Sequence, residues 1–137
     1  MKKLKNVLVI VGGTGLILWG LFHITFWEGL DWENELVKLN GINSNVMQML
    51  NIAVIVLLLS FGCVFLFCRR EMASTGLGTA VLLFFALFWL ARLIGEFVFP
   101  GGSIMLGSVL FLFVLLYLIP AVIKTGKNEN RDNTGLR

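Results

Sequence analysis

Four apolar runs, each about as long as a helix that crosses a bilayer, restrict the fold of this chain more than any other feature. A helix rises about 1.5 Å per residue and the hydrocarbon core is about 30 Å thick, so one crossing takes about 20 mostly apolar residues. Residues 5–26, 46–68, 75–99 and 102–123 meet that length. A mean hydropathy of +0.90, with 58% hydrophobic and 14% charged residues among 137, makes lipid the main solvent. Strands would need segments of about ten alternating residues closed into a barrel, and the runs at 54–61 and 81–90 do not alternate. The sequence predicts an all-α, integral membrane four-helix bundle over residues 1–123, followed by a tail over 124–137.

Lys2, Lys3 and Lys5 precede the first run as basic residues precede the apolar part of a secretory signal. No small-x-small cleavage pattern occurs near the far end of that run, where Gly20 is followed by Leu21 and Phe22. The run is expected to stay attached as a signal anchor.

Basic residues in short loops are retained in the cytoplasm. Lys2, Lys3 and Lys5, then Arg69 and Arg70, then Lys124, Lys127, Arg131 and Arg137 fall on one side of the four crossings, leaving Lys38 on the other. Both termini are therefore expected in the cytoplasm. The first outer loop carries Glu28, Asp31, Glu33 and Glu35, and the second is the neutral turn at 100–102. The formal charge of +3 reflects contact with anionic lipid at the inner surface, not a nucleic-acid partner.

Residues 31–40 read as a short outer amphipathic helix, with Asp31 as N-cap and Gly41 as its C-terminal stop. Trp32, Leu36 and Leu39 recur at helical spacing, so Trp32 and Trp27 are expected to anchor this segment at the interface. A lid over a membrane-facing pocket is the functional alternative. The tail at 124–137 is nearly devoid of apolar residues and is expected to be disordered.

Any chemistry is to be sought among polar residues within the spans, where each needs a partner or a wet cavity. His23, Gln48, Asn51, Arg92 and Glu96 all fall in the outer half of their helices. Each lies on a face with small side chains: Gly12, Leu16, Gly20, His23 and Trp27 on the first helix, and Ser44, Gln48, Asn51, Ile55 and Gly62 on the second. Gly78, Phe85, Trp89, Arg92 and Glu96 continue the pattern on the third, and Ser103, Gly107, Val114, Tyr117 and Ala121 on the fourth. The shared depth predicts one polar cluster. Arg92 and Glu96, four apart, would offset each other's charge. This set reads either as a structural ion pair supported by hydrogen bonds or as a ligand, ion or proton site.

His23 is the sole histidine, which excludes bis-His haem ligation within one subunit and a His-rich metal site. Cys63 and Cys68 are five apart, off a common helical face, with no CxxC pair. They read as packing residues, with palmitoylation or redox exchange as alternatives. Gly12-Gly13-Thr14-Gly15 resembles a phosphate loop in glycine content only: it lies inside a span and lacks the GK[ST] ending. No catalytic constellation, cofactor motif or metal set emerges.

The pattern His23-x-x-Phe26-Trp27, Met49-Leu50-Asn51 and Phe88-Trp89-x-x-Arg92-x-x-x-Glu96 resembles small bacterial four-helix membrane proteins of the DoxX-like kind. The resemblance implies architecture and a bacterial inner membrane, and transfers no activity. Two functional classes stay open. One is a non-enzymatic accessory or interaction protein whose partner is another membrane protein or a second copy of the chain. The other handles a small ligand such as a lipid or quinone, or an ion or proton, through the outer polar set. A pore-former or holin is a third, less supported class.

Overall fold

The computed structural model describes residues 2–123, all of whose regular elements are helical. The tail expected over 124–137 lies outside the described residues. The elements are α1 (Lys2–Ile24), α2 (Phe26–Gly29), α3 (Trp32–Glu35), a 3-10 turn (Leu36–Lys38), α4 (Gly41–Phe67), α5 (Arg69–Ser74), α6 (Gly76–Val98) and α7 (Ile104–Val122). Four of them, α1, α4, α6 and α7, are long and apolar enough to cross a membrane.

Three of these four begin at a side-chain cap. Asn40 accepts from the Asn43 N–H at 2.8 Å, Thr75 from the Gly78 N–H at 2.9 Å, and Ser103 from the Leu106 N–H at 3.5 Å. Each satisfies an amide that the first turn leaves without a helical partner. The Asn40 cap starts α4 at Gly41, so Gly41 opens a helix and does not stop one as the sequence suggested. The expected helix at 31–40 is instead α3 followed by the 3-10 turn. Asp31 precedes it in the left-handed conformation (φ 48°), which a short polar side chain tolerates. Its carboxylate accepts from the Asn34 side chain at 2.9 and 3.1 Å and makes no backbone cap.

α1 packs on one side against α4 and on another against α7, while α6 and α7 form a second hairpin. Gly13 faces Gly62 of α4 so closely that a Cβ on Gly62 would stand 2.5 Å from Ile17 Cγ1 and 3.0 Å from the Gly13 carbonyl oxygen. Gly20 meets Leu58 and Leu59 on the same side. A quarter-turn away, Gly12 abuts the Tyr117 ring, Gly15 abuts Phe113, and Trp19 packs edge-on against Phe113. The single expected stripe is thus two faces, at positions 13, 17 and 20 toward α4 and at 12, 15 and 19 toward α7. Lipid tails are as apolar as leucine, so close van der Waals approach, not water exclusion, holds such helices together.

The space between α4 and α6 is filled by rings. Phe65, Phe85 and Tyr117 lie with centroids 5.4–5.5 Å apart, and Phe61 packs on Phe85 at 4.9 Å. Trp89 stacks on Phe113 at 4.4 Å and meets Trp19 edge-on at 5.9 Å. Large apolar side chains such as Leu18, Leu50, Val56, Leu87 and Leu112 point outward along the four long helices, the arrangement a lipid solvent requires. At one end of the bundle α5 packs against both α1 and α6, and Gly78 lies too close to the Glu71 and Met72 backbone to carry a side chain. The other end holds α2, α3, the 3-10 turn and the turn between α6 and α7.

Candidate functional site

The five polar residues expected to cluster are distributed among separate hydrogen-bonded groups. The first ties α1 to α4. Asn51, buried, donates from Nδ2 to the His23 carbonyl oxygen at 3.1 Å, while His23 Nδ1 lies 2.9 Å from the carbonyl oxygen of Trp19, one turn earlier. A helix can spare that His23 carbonyl because α1 ends at Ile24, where the last four carbonyls have no helical partner. The asparagine therefore caps the end of a neighbouring helix. Gln48 stays on its own helix, with Nε2 at 3.3 Å from the Ser44 carbonyl oxygen.

The second group ties α6 to α7. Glu96 is only 8% exposed, and its Oε1 accepts from the backbone N–H of Ser103 at 2.9 Å. In a capping box, the N-cap hydroxyl accepts from the third helical amide and an acidic side chain at that third position accepts from the N-cap amide. Ser103 fulfils the first half toward Leu106. Leu106 has no carboxylate to return, and Glu96 supplies it from the preceding helix.

The turn between them is built for this contact. Gly101 has φ 93°, a conformation that glycine adopts without steric cost, and a Cβ on Gly102 would fall 1.8 Å from the Glu96 carbonyl oxygen. Glycine lets the chain fold back over the end of α6 without backbone strain at 101 and without a clash at 102.

Arg92 joins the second group loosely. Its Nη1 is 3.4 Å from Glu96 Oε2, longer than the 2.7–2.9 Å typical of a charge-assisted bond, and its side chain is 52% exposed. No hydrogen bond joins it to the His23 ring among the described residues. Arg92, Gly95, Glu96, Phe99 and the 100–102 turn line a cavity of about 200 Å³. A groove of about 760 Å³ between α6 and α7 is lined by Leu93, Phe97, Phe111 and similar residues and offers almost no polar group.

Trp27 and Trp32 meet edge-on at 4.9 Å, and Phe26 lies 6.1 Å from Trp32. Trp27 is partly exposed. Trp32 is buried within this aromatic knot, which closes through Phe26 onto the His23 ring at 4.5 Å.

Two polar features of the interior were not anticipated as contacts. Tyr117 donates its hydroxyl to the Gly12 carbonyl oxygen at 2.7 Å, and the Trp89 indole N–H is buried without a hydrogen-bond partner among the described residues. Both residues lie on the small-residue faces read from the sequence; nothing in their spacing reveals which carbonyl a ring will meet. Cys63 and Cys68 are exposed free thiols. Among the described residues no group of three or more His, Cys, Asp or Glu side chains is placed to hold a metal ion.

No protein-family model matches the chain, and no curated protein or solved structure is significantly similar to it. The DoxX-like resemblance rests on the residues quoted for it alone.

Proposed function

We propose that this chain is a non-enzymatic accessory or interaction protein of a bacterial inner membrane, crossing it four times with both termini in the cytoplasm. The observation that carries the reading is how the polar groups of the spans are used. Asn51 caps α1, Tyr117 binds the Gly12 carbonyl, and Glu96 completes the α7 cap. Each is committed to holding one helix to another, and none stands as a nucleophile beside a matched base.

The orientation draws support from charge placement. Lys3, Arg69 and Arg70 lie at the α5 end of the bundle, and Glu28, Glu33 and Glu35 at the opposite end. Work by such a protein is done laterally, through the apolar flanks of its helices, on a second copy or another membrane protein. The competing reading, a small-ligand or ion-handling protein, has the half-exposed Arg92 beside its cavity in its favour.

Photo-crosslinking within intact membranes tests the lateral reading, with the reactive group placed in turn at the outward-facing Leu50, Leu87 and Leu112. The expected result is a discrete adduct with one polypeptide from a single flank. Lipid adducts alone from all positions, together with a bare monomer by native mass spectrometry in mild detergent, would contradict it.

A further inference from the structure

We propose that Arg92 and the cavity beside it hold the phosphate of a membrane phospholipid. The inference needs only that α6 crosses the bilayer, and does not rest on the accessory reading. An arginine in a span requires a counter-charge or a route to water. The one acid in contact with it among the described residues, Glu96, has its better hydrogen bond elsewhere: Oε1 takes the Ser103 amide at 2.9 Å, and Oε2 is left 3.4 Å from Arg92 Nη1. A guanidinium has five N–H donors in a rigid fork, and Arg92 spends one of them on a long contact while half of its side chain stands exposed.

The direction of the side chain fits a ligand at headgroup level. Helical side chains lean toward the N-terminus, which for Arg92 is the bundle interior. Its contact with Glu96 lies four residues the other way, toward the end of the helix at Val98. From Arg92 to Val98 is a rise of about 9 Å, a depth from which an arginine reaches the interface by snorkelling.

At that level the cavity of about 200 Å³ begins, walled by Gly95, Glu96, Phe99 and the glycine turn. A phosphodiester there would present two oxygens to the guanidinium, the bidentate geometry that arginine favours over a point charge. Arg92 then bridges an anion of the protein and an anion of the bilayer, and the lipid's tails run down the apolar flank of the bundle.

The test uses the delipidated full chain in detergent and native mass spectrometry. Phosphatidylglycerol, diacylglycerol with the same acyl chains and glycerol 3-phosphate are titrated in parallel. One phosphatidylglycerol should bind about tenfold or more tighter than either of the others. Arg92→Gln should weaken it by about tenfold or more, with Arg92→Lys in between because a point charge loses the fork. Gly95→Leu supplies a second variant that keeps the charge and fills the cavity. A Cβ at Gly95 meets nothing nearer than Phe99 at 3.8 Å, and the rest of the leucine has the cavity that Gly95 lines to enter, so this variant should fold and should also lose the lipid. Equal binding of diacylglycerol would overturn the phosphate site, and equal binding of glycerol 3-phosphate would overturn its assignment to a lipid. If Arg92→Gln does not fold, unchanged phosphatidylglycerol affinity in Gly95→Leu suffices to reject the proposal.

Discussion

The Tyr117 hydroxyl donates to the Gly12 carbonyl oxygen at 2.7 Å across 105 residues of sequence, binding α7 to α1 at the level where the Tyr117 ring lies against Gly12. The glycine makes the bond possible, because a side chain there would hold the ring away. Tyr117→Phe removes the hydroxyl and leaves the ring. Interhelical hydrogen bonds in membranes are worth about 0.6–1.7 kcal/mol, and a loss of that size is expected by reversible unfolding in detergent. No change would mean that the ring packing alone joins α7 to α1.

Gly62 should tolerate far less. A Cβ there meets Ile17 Cγ1 at 2.5 Å and, behind it, the Gly13 carbonyl oxygen at 3.0 Å. Gly62→Val is expected to cost about 1–3 kcal/mol by overpacking. Ile17→Ala should rescue it only in part, since the Gly13 backbone stays in place. Gly29→Ala, whose Cβ has nothing within 4 Å, should stay within about 0.5 kcal/mol of the parent.

If Arg92 and Glu96 offset each other's charge, as their four-residue spacing suggests, Arg92→Leu should harm more than the double Arg92→Leu/Glu96→Leu variant by stranding a carboxylate. The geometry changes the expected order. Glu96 is held mainly by the Ser103 amide, so Glu96→Ala should cost about 0.5–2 kcal/mol, as loss of a helix cap does, and Arg92→Leu should cost less. Glu96→Gln keeps a carbonyl oxygen for Ser103 and should fall between the parent and Glu96→Ala. A larger loss for Arg92→Leu than for Glu96→Ala, measured by thermal melting, would restore the ion pair as the dominant contact.

The four long apolar helices were legible because length and hydropathy suffice for them, whereas their ends depend on caps that hydropathy does not register. Residues 41–45 are largely polar, and hydropathy stops short of them; the Asn40 side chain bonding to the Asn43 amide carries α4 back to Gly41. That most of the polar residues lie toward one end of the bundle was also legible, but their partners were not. Asn51 and Tyr117 bond to backbone carbonyls, which every residue has and which no sequence pattern distinguishes. Glu96 lies seven residues before Ser103, and only the fold-back at Gly101 and Gly102 brings the two together.

The first helix should be present in the mature protein. Val9 and Leu16 are fully buried in the core, and Gly12 and Gly13 make the contacts to α7 and α4. Intact-mass measurement of the purified chain should account for all of α1. A mature N-terminus beyond Gly20 would mean that α4 and α7 hold together without the helix that both pack against here.

The central claim is four crossings with both termini in the cytoplasm, and cysteine accessibility in intact cells tests it most directly. In a background carrying Cys63→Ser and Cys68→Ser, single cysteines at positions 35, 70, 101 and 131 are treated with a membrane-impermeant maleimide. The account predicts labelling at 35 and 101 in intact cells, and at 70 and 131 only after the membrane is opened. Labelling at both 35 and 131 in intact cells would contradict an even number of crossings, and labelling at 70 and 131 but not at 35 would invert the orientation.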